Sequence, residues 1–171
     1  MADAARLAFV GAGGIARLHT KGYAELWEGG CRDIEFTASC DINEATAVER
    51  AEALEEIQGT KPQVFTNLDE MIRSGVAEGA ILCIPHWLHH TIAGQCLEGG
   101  LHVMVEKPIG ITVKATKRII EAGKKAGKVV ATAEQIRRFQ TARAFRWAPW
   151  LSMRCLRKRR SPDRCRLSPA M

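Results

Sequence analysis

No apolar run in this 171-residue sequence approaches the roughly 20 residues a membrane helix needs. Its opening, "MADAARLAFVGAGG", does not have the layout of a secretory signal. The two absences together predict a cytoplasmic protein with no membrane partner. Cys31, Cys40, Cys83, Cys96, Cys155 and Cys165 form no C-x-x-C pair, and several lie within apolar runs. Reduced, mostly buried thiols are expected. A basic bias is also missing from most of the chain. Residues 149–171 carry six Arg, one Lys and one Asp, so the remaining 148 residues hold 18 basic and 18 acidic side chains. The overall charge of +6 therefore belongs to the tail, and any nucleic-acid partner would have to be held by the last 23 residues alone. The length suits one well-buried domain, and no internal repeat precedes the tail.

What is present is an alternation of strands and helices. "RLAFV" (6–10), "IEFTASC" (34–40), "QVF" (63–65), "GAILCIP" (79–85), "LHVMVE" (101–106) and "KVVATAE" (128–134) read as strands. Helical spacing or helix-forming composition covers 14–27, 43–57, 67–73, 87–98 and 112–125, with Asn43 and Asn67 as start signals and glycine pairs as stops after 27 and 98. "GAILCIP" is apolar on both faces, as the middle of a parallel sheet requires. The fold class expected is α/β, a doubly wound, mostly parallel sheet of Rossmann type. Right-handed crossovers would place the loops after the strands along one edge, where such sheets bind ligands.

Three motifs fall on that edge. "FVGAGGIARLH" sets Gly11, Gly13 and Ala16 in a G-x-G-x-x-[GA] pattern at the first strand–helix junction. The first glycine permits the turn, the second lets backbone approach a pyrophosphate, and the small third residue lets helix pack on strand. The free N–H groups of the helix N-terminus would meet the phosphates. Asp41 ends the second strand, where a carboxylate can accept from both adenine-ribose hydroxyls and would repel a 2′-phosphate, favouring NAD over NADP. Asp41 as the cap of the next helix is the plainer alternative, and both can hold. In "CIPHWLHH", Cys83, His86, His89 and His90 crowd together, but no second ligand cluster accompanies them and a metal is not expected. The histidines read as solvated loop imidazoles, Trp87 as a packing residue, and Cys83 as part of a buried strand. In "VEKPIG", Glu106 and Lys107 leave a buried strand at the ligand edge ahead of Pro108. Lys107 there could donate to a substrate oxygen or transfer a proton; the bland alternative is a surface ion pair of Glu106 with Lys107.

Taken in order, these segments resemble the N-terminal domain of the Gfo/Idh/MocA oxidoreductase family, over about residues 5–148. "GAGGIARLH" with His19, Cys40-Asp41, "PHWLH" and "GGLHVMVEKPIG" carry the resemblance. It implies a domain that binds NAD, with NADP also admitted, through Gly11, Gly13, Gly14, Ile15, Asp41, Ile84, Pro85, His89, Glu106 and Lys107. The nicotinamide would lie near Pro85, His89 and Glu106. Lys107, the one catalytic candidate, would touch the substrate hydroxyl being oxidised, and His19 would pack and hydrogen-bond near the glycine loop. The family acts on sugars, inositols and related polyols through a second α/β domain that supplies an acid/base pair of His and usually Asp.

Here the last His is His102, and Asp163 is the only Asp beyond Asp69. The expected organisation is a dinucleotide-binding domain over 1–148 followed by a basic tail over 149–171, with nucleotide binding and little or no turnover. "AEQIRRFQTARAFRWA" (133–148) still resembles the family's crossing to the second domain. Three explanations of the tail stand: a reading-frame shift or equivalent truncation near codon 148, which is favoured; a basic arm for nucleic acid or another anion; or a short dinucleotide sensor. Loss of the second domain would expose apolar surface and promote self-association.

Overall fold

A computed structural model describes residues 4–134 of the chain. The basic tail, Cys155, Cys165 and the expected crossing with Arg138 and Arg143 lie outside the described residues, as does the domain boundary expected at 148.

All six expected strands and five helices are present. In chain order they are β1 (Ala5–Val10), α1 (Gly14–Glu28), β2 (Ile34–Cys40), α2 (Glu44–Gln58), β3 (Gln63–Phe65), α3 (Leu68–Ser74), β4 (Gly79–Leu82), α4 (His89–Glu98), β5 (His102–Glu106), α5 (Val113–Ala126) and β6 (Val130–Ala133). Every pairing is parallel and the strand order is β3-β2-β1-β4-β5-β6. The chain thus winds outward from β1 in one direction and returns to β1's other side through β4. That reversal creates the crevice between β1 and β4, where an open α/β sheet binds its ligand.

Local chemistry accounts for the helix starts. The side chains of Asn43, Asn67 and Thr112 each accept from the amide three residues on, as N-caps do. Two corrections concern the segment after β4. The strand ends at Leu82 rather than Pro85, and a 3-10 turn over His86–Leu88 precedes α4, which begins at His89 rather than Trp87. Proline at 85 cannot extend the ladder, and the tighter turn closes on it, Leu88 donating to the Pro85 carbonyl.

The sheet is packed on both faces. On one, Phe9, Ala16, Tyr23, Phe36, Leu54 and Ile81 form a cluster in which the Phe9 and Phe36 rings stack 4.3 Å apart. On the other, Val10, Leu82, Leu97, Val103, Val105 and Ile119 belong to a larger cluster. Ala16 is fully buried, so the small third position of the glycine motif does set α1 directly against the sheet.

Candidate functional site

The glycine loop crosses the top of β1 with its backbone held from three sides. Gly11 has φ +82°, and a Cβ there would stand 2.5 Å from the Cys83 carbonyl oxygen. Only glycine fits that turn against the end of β4. The Gly11 amide donates to the Cys40 carbonyl, 2.8 Å. At Ala12, the amide donates to Asp41 Oδ2 at 2.8 Å and the carbonyl accepts from Arg50 Nε at 3.3 Å. With Ala12 fixed in this way, Gly13 becomes the N-cap of α1 and offers no side-chain cap of its own. Neither Gly13 nor Gly14 would bring a Cβ within 4 Å of any other group. The first turn of α1 therefore opens its amides to unfilled space, with Ile15 exposed beside them. A diphosphate fits this cradle on the chemistry of its donors.

Asp41 faces the same loop. Besides Ala12 it accepts from the Asn43 amide through Oδ1, at 2.9 Å. The helix-cap alternative is corrected here: the cap of α2 is Asn43, and Asp41 ties the glycine loop to the start of that helix. A carboxylate has about four acceptor positions, so two remain for ribose hydroxyls.

Across the crevice, Glu106 and Lys107 are not a surface ion pair. Glu106 is only 6% exposed. His19 Nε2 donates to its Oε1 at 2.7 Å, and the Lys107 amide donates to its Oε2 at 3.1 Å. His19 does pack near the glycine loop, against Phe9, but its hydrogen-bond partner is on β5, which links α1 to the Lys107 loop. Lys107 itself is exposed, followed by a cis peptide to Pro108. Among the described residues no carboxylate lies within ion-pair distance of its ammonium. The free head group can reach a ligand, whereas Glu106 holds the backbone beneath it. Cys83 lies just beyond β4 and half-buried, not inside the strand. Burial, with a smaller push from the Glu106 charge against Arg50, lifts its thiol to about 12. Such a thiol stays protonated at neutral pH.

His89 is likewise not a solvated imidazole. It is fully buried, with Nδ1 2.9 Å from the Pro108 carbonyl and Nε2 3.1 Å from the Ile84 carbonyl. The ring thereby joins the loop after β4 to the loop after β5, with Ile84 and Pro85 carried on the first. Both nitrogens are occupied by protein, so His89 shapes the site from behind and presents no polar atom to a ligand. His86 and Trp87 are exposed at the rim. Among the described residues no three His, Cys, Asp or Glu side chains are arranged to hold a metal ion. A cavity of about 560 Å³ lies at the opposite end of the strands, beside Leu7, Glu78, His102 and Lys128, and contains none of these site residues.

Sequence reasoning passed over Arg50. Its signal was a charge on the inward stripe of α2, where Ala47, Ala51 and Leu54 are all buried. The joint role of His19 and Glu106 had no such signal, since the two residues are 87 positions apart.

Residues 5–134 match a family model described as an oxidoreductase family with an NAD-binding Rossmann fold. D-glucoside 3-dehydrogenase of Escherichia coli is 30% identical over 127 residues, covering 74% of this chain and 33% of that protein. An alpha-N-acetylgalactosaminidase of Shewanella oneidensis is 26% identical over 138 residues, covering 78% and 29%. Among solved structures, the WlbA dehydrogenase of Chromobacterium violaceum, crystallised with NADH and UDP-GlcNAcA, superimposes with a TM-score of 0.67 at 32% identity. That match covers 80% of this chain and 37% of the other. The chain spans about a third of the length of these relatives.

Proposed function

The chain belongs to the Gfo/Idh/MocA oxidoreductase family, whose NAD-binding Rossmann domain it carries over residues 5–134, and from that premise we propose that it binds NAD across the β1–β4 crevice. The observation that carries this is the clamped Ala12: Asp41 on its amide and Arg50 on its carbonyl leave the α1 amides open above Gly13 and Gly14. The α1 amides would receive the diphosphate and the spare acceptor positions of Asp41 the adenine ribose. Pro85 and the Glu106–Lys107 loop would border the nicotinamide. We assign this binding domain to residues 1–148 and leave 149–171 as a separate basic stretch.

For the reaction this domain would serve, we infer oxidation of a CH–OH group of a sugar, inositol or related polyol. Bound NAD would supply a hydride acceptor. Lys107 would hold the substrate hydroxyl, its backbone fixed by Glu106 and, through Glu106, by His19. The dehydrogenase and the glycosidase among the relatives share the sugar as substrate class, and the Lys107 position suits the first chemistry.

Calorimetric titration of the full chain with NAD and NADP tests this. Saturable binding of NAD, tighter than NADP, is expected, with Asp41→Ala weakening it about tenfold or more, roughly the loss of one charge-assisted hydrogen bond. Failure of the wild-type chain to bind either dinucleotide overturns it. The basic composition of residues 149–171 supports one other function, anion or nucleic-acid binding. Salt-sensitive RNA or DNA affinity that disappears on removing those residues, with NAD affinity unchanged, would favour it.

A further inference from the structure

Arg50 is only 3% exposed, although it carries a permanent charge and five N–H donors. Among the described residues its guanidinium makes one hydrogen bond, from Nε to the Ala12 carbonyl. Its only carboxylate neighbour in ion-pair range is Glu49, 3.7 Å from an Nη, with a side chain 70% exposed. Water screens such a contact, so Glu49 compensates only part of the buried charge. A cation with so little internal pairing calls for water or another anion to complete it, and the Arg50 Nη atoms are not sealed off from such a partner. Burial pulls the affinity of Arg50 for its proton down, against the Glu49 charge and with a smaller addition from Arg17. Its place in the fold indicates where the missing anion would sit. Arg50 projects from α2 beneath the glycine loop, and its one bonded acceptor is the peptide immediately before the open turn at Gly13.

We propose that Arg50 is a positioning residue for the diphosphate of a bound dinucleotide, which supplies counter-charge that the described residues leave incomplete. Holding the Ala12 carbonyl inward keeps the following amides pointed outward, and the guanidinium adds a fixed positive charge behind them. The proposal rests on the NAD-binding function above. It extends that function to a residue outside the glycine motif and the carboxylate after β2, with diphosphate esters as the recognised class.

The test compares wild type, Arg50→Met and Arg50→Lys as full chains, each titrated with NAD, ADP-ribose and AMP and melted without ligand. Methionine keeps the stem's packing and removes the charge, and replacing a poorly paired buried ion by an apolar group is often neutral or stabilising. Arg50→Met should therefore melt at or above the wild-type temperature yet bind NAD and ADP-ribose about tenfold more weakly. AMP, which lacks the second phosphate, should lose less. Lysine, which retains the charge, should fall between. A merely structural arginine predicts a lower melting temperature with equal losses for all three ligands, and that result overturns the proposal, as does unchanged NAD affinity in Arg50→Met. Should Arg50→Met not fold, Arg50→Gln, a neutral donor to Ala12, is judged by the same ligand comparison. Absence of NAD and ADP-ribose binding by wild type overturns the NAD-binding function itself, and this proposal with it.

Discussion

Gly11 and Gly13 are two residues apart in one loop, but alanine would meet different obstacles at each. At Gly11 the positive φ and the Cys83 carbonyl 2.5 Å from a Cβ oppose any side chain in the folded protein itself. Gly11→Ala is expected to cost about 1–3 kcal/mol of folding stability, read from urea unfolding. At Gly13, φ is −75° and nothing would touch the new methyl group. Gly13→Ala should cost clearly less folding stability than Gly11→Ala, because no neighbouring group obstructs the methyl. Its effect should appear chiefly in dinucleotide affinity, where the methyl group occupies the approach of the diphosphate. If Gly13→Ala unfolds the protein, or leaves NAD affinity intact, the open cradle is not where the phosphates sit.

At the scale of elements, the site is a set of strand ends joined by a few side chains. His19 ties α1 to β5 through Glu106, Asp41 ties the β1 turn to α2, and His89 ties the β4 loop to the β5 loop. His89→Leu is close in size but removes both contacts, including the one N–H that a neutral imidazole donates to either the Ile84 or the Pro108 carbonyl. Losing that hydrogen bond costs about 0.5–1.5 kcal/mol. Lower stability is expected, accompanied by faster amide exchange in residues 84–88 and 107–112 and by weaker NAD binding. Lower stability with unchanged exchange in both loops would mean that His89 fills the core without bracing the site.

Across the whole molecule, one charge state is shared by several buried groups. Burial raises Tyr23 to about 12, Cys40 to about 11, and Cys83 and Cys96 to about 12, the cysteines starting from 9.0 and the tyrosine from 10.0. The unfolded chain loses these protons first, so the folded state binds more of them between about pH 9 and 12. The stability they contribute is complete below pH 9 and is lost as pH rises toward 12. The urea midpoint should therefore fall steeply across that window, and Cys96→Ala should make the fall shallower. A midpoint flat to pH 11 would contradict the burial of these groups. Leu18, Trp87, Ile111 and Val113, which follow the ends of β1, β4 and β5 along the chain, are each exposed. Sedimentation velocity should show association that grows with protein concentration and weakens when NAD is added, as expected where large apolar side chains meet solvent.

The sequence by itself determined the order of elements and the residues that border the ligand edge. Period-two and helical patterns, cap residues and glycine stops act within a few positions, so "IEFTASC" and "QVF" could be bounded to the residue. The fixed hand of βαβ crossovers then carried Gly11, Asp41 and Lys107 to one side of the sheet. Only the tertiary structure decided what each polar side chain does there. Arg50 on Ala12, His19 on Glu106, and His89 between two carbonyls are contacts between chain segments that no local pattern encodes. The same burial that made His89 a brace also made Glu106 a backbone anchor instead of a partner for Lys107. Desolvation obliges a polar group to find whichever partner the packed fold brings near, and packing is a property of the whole chain.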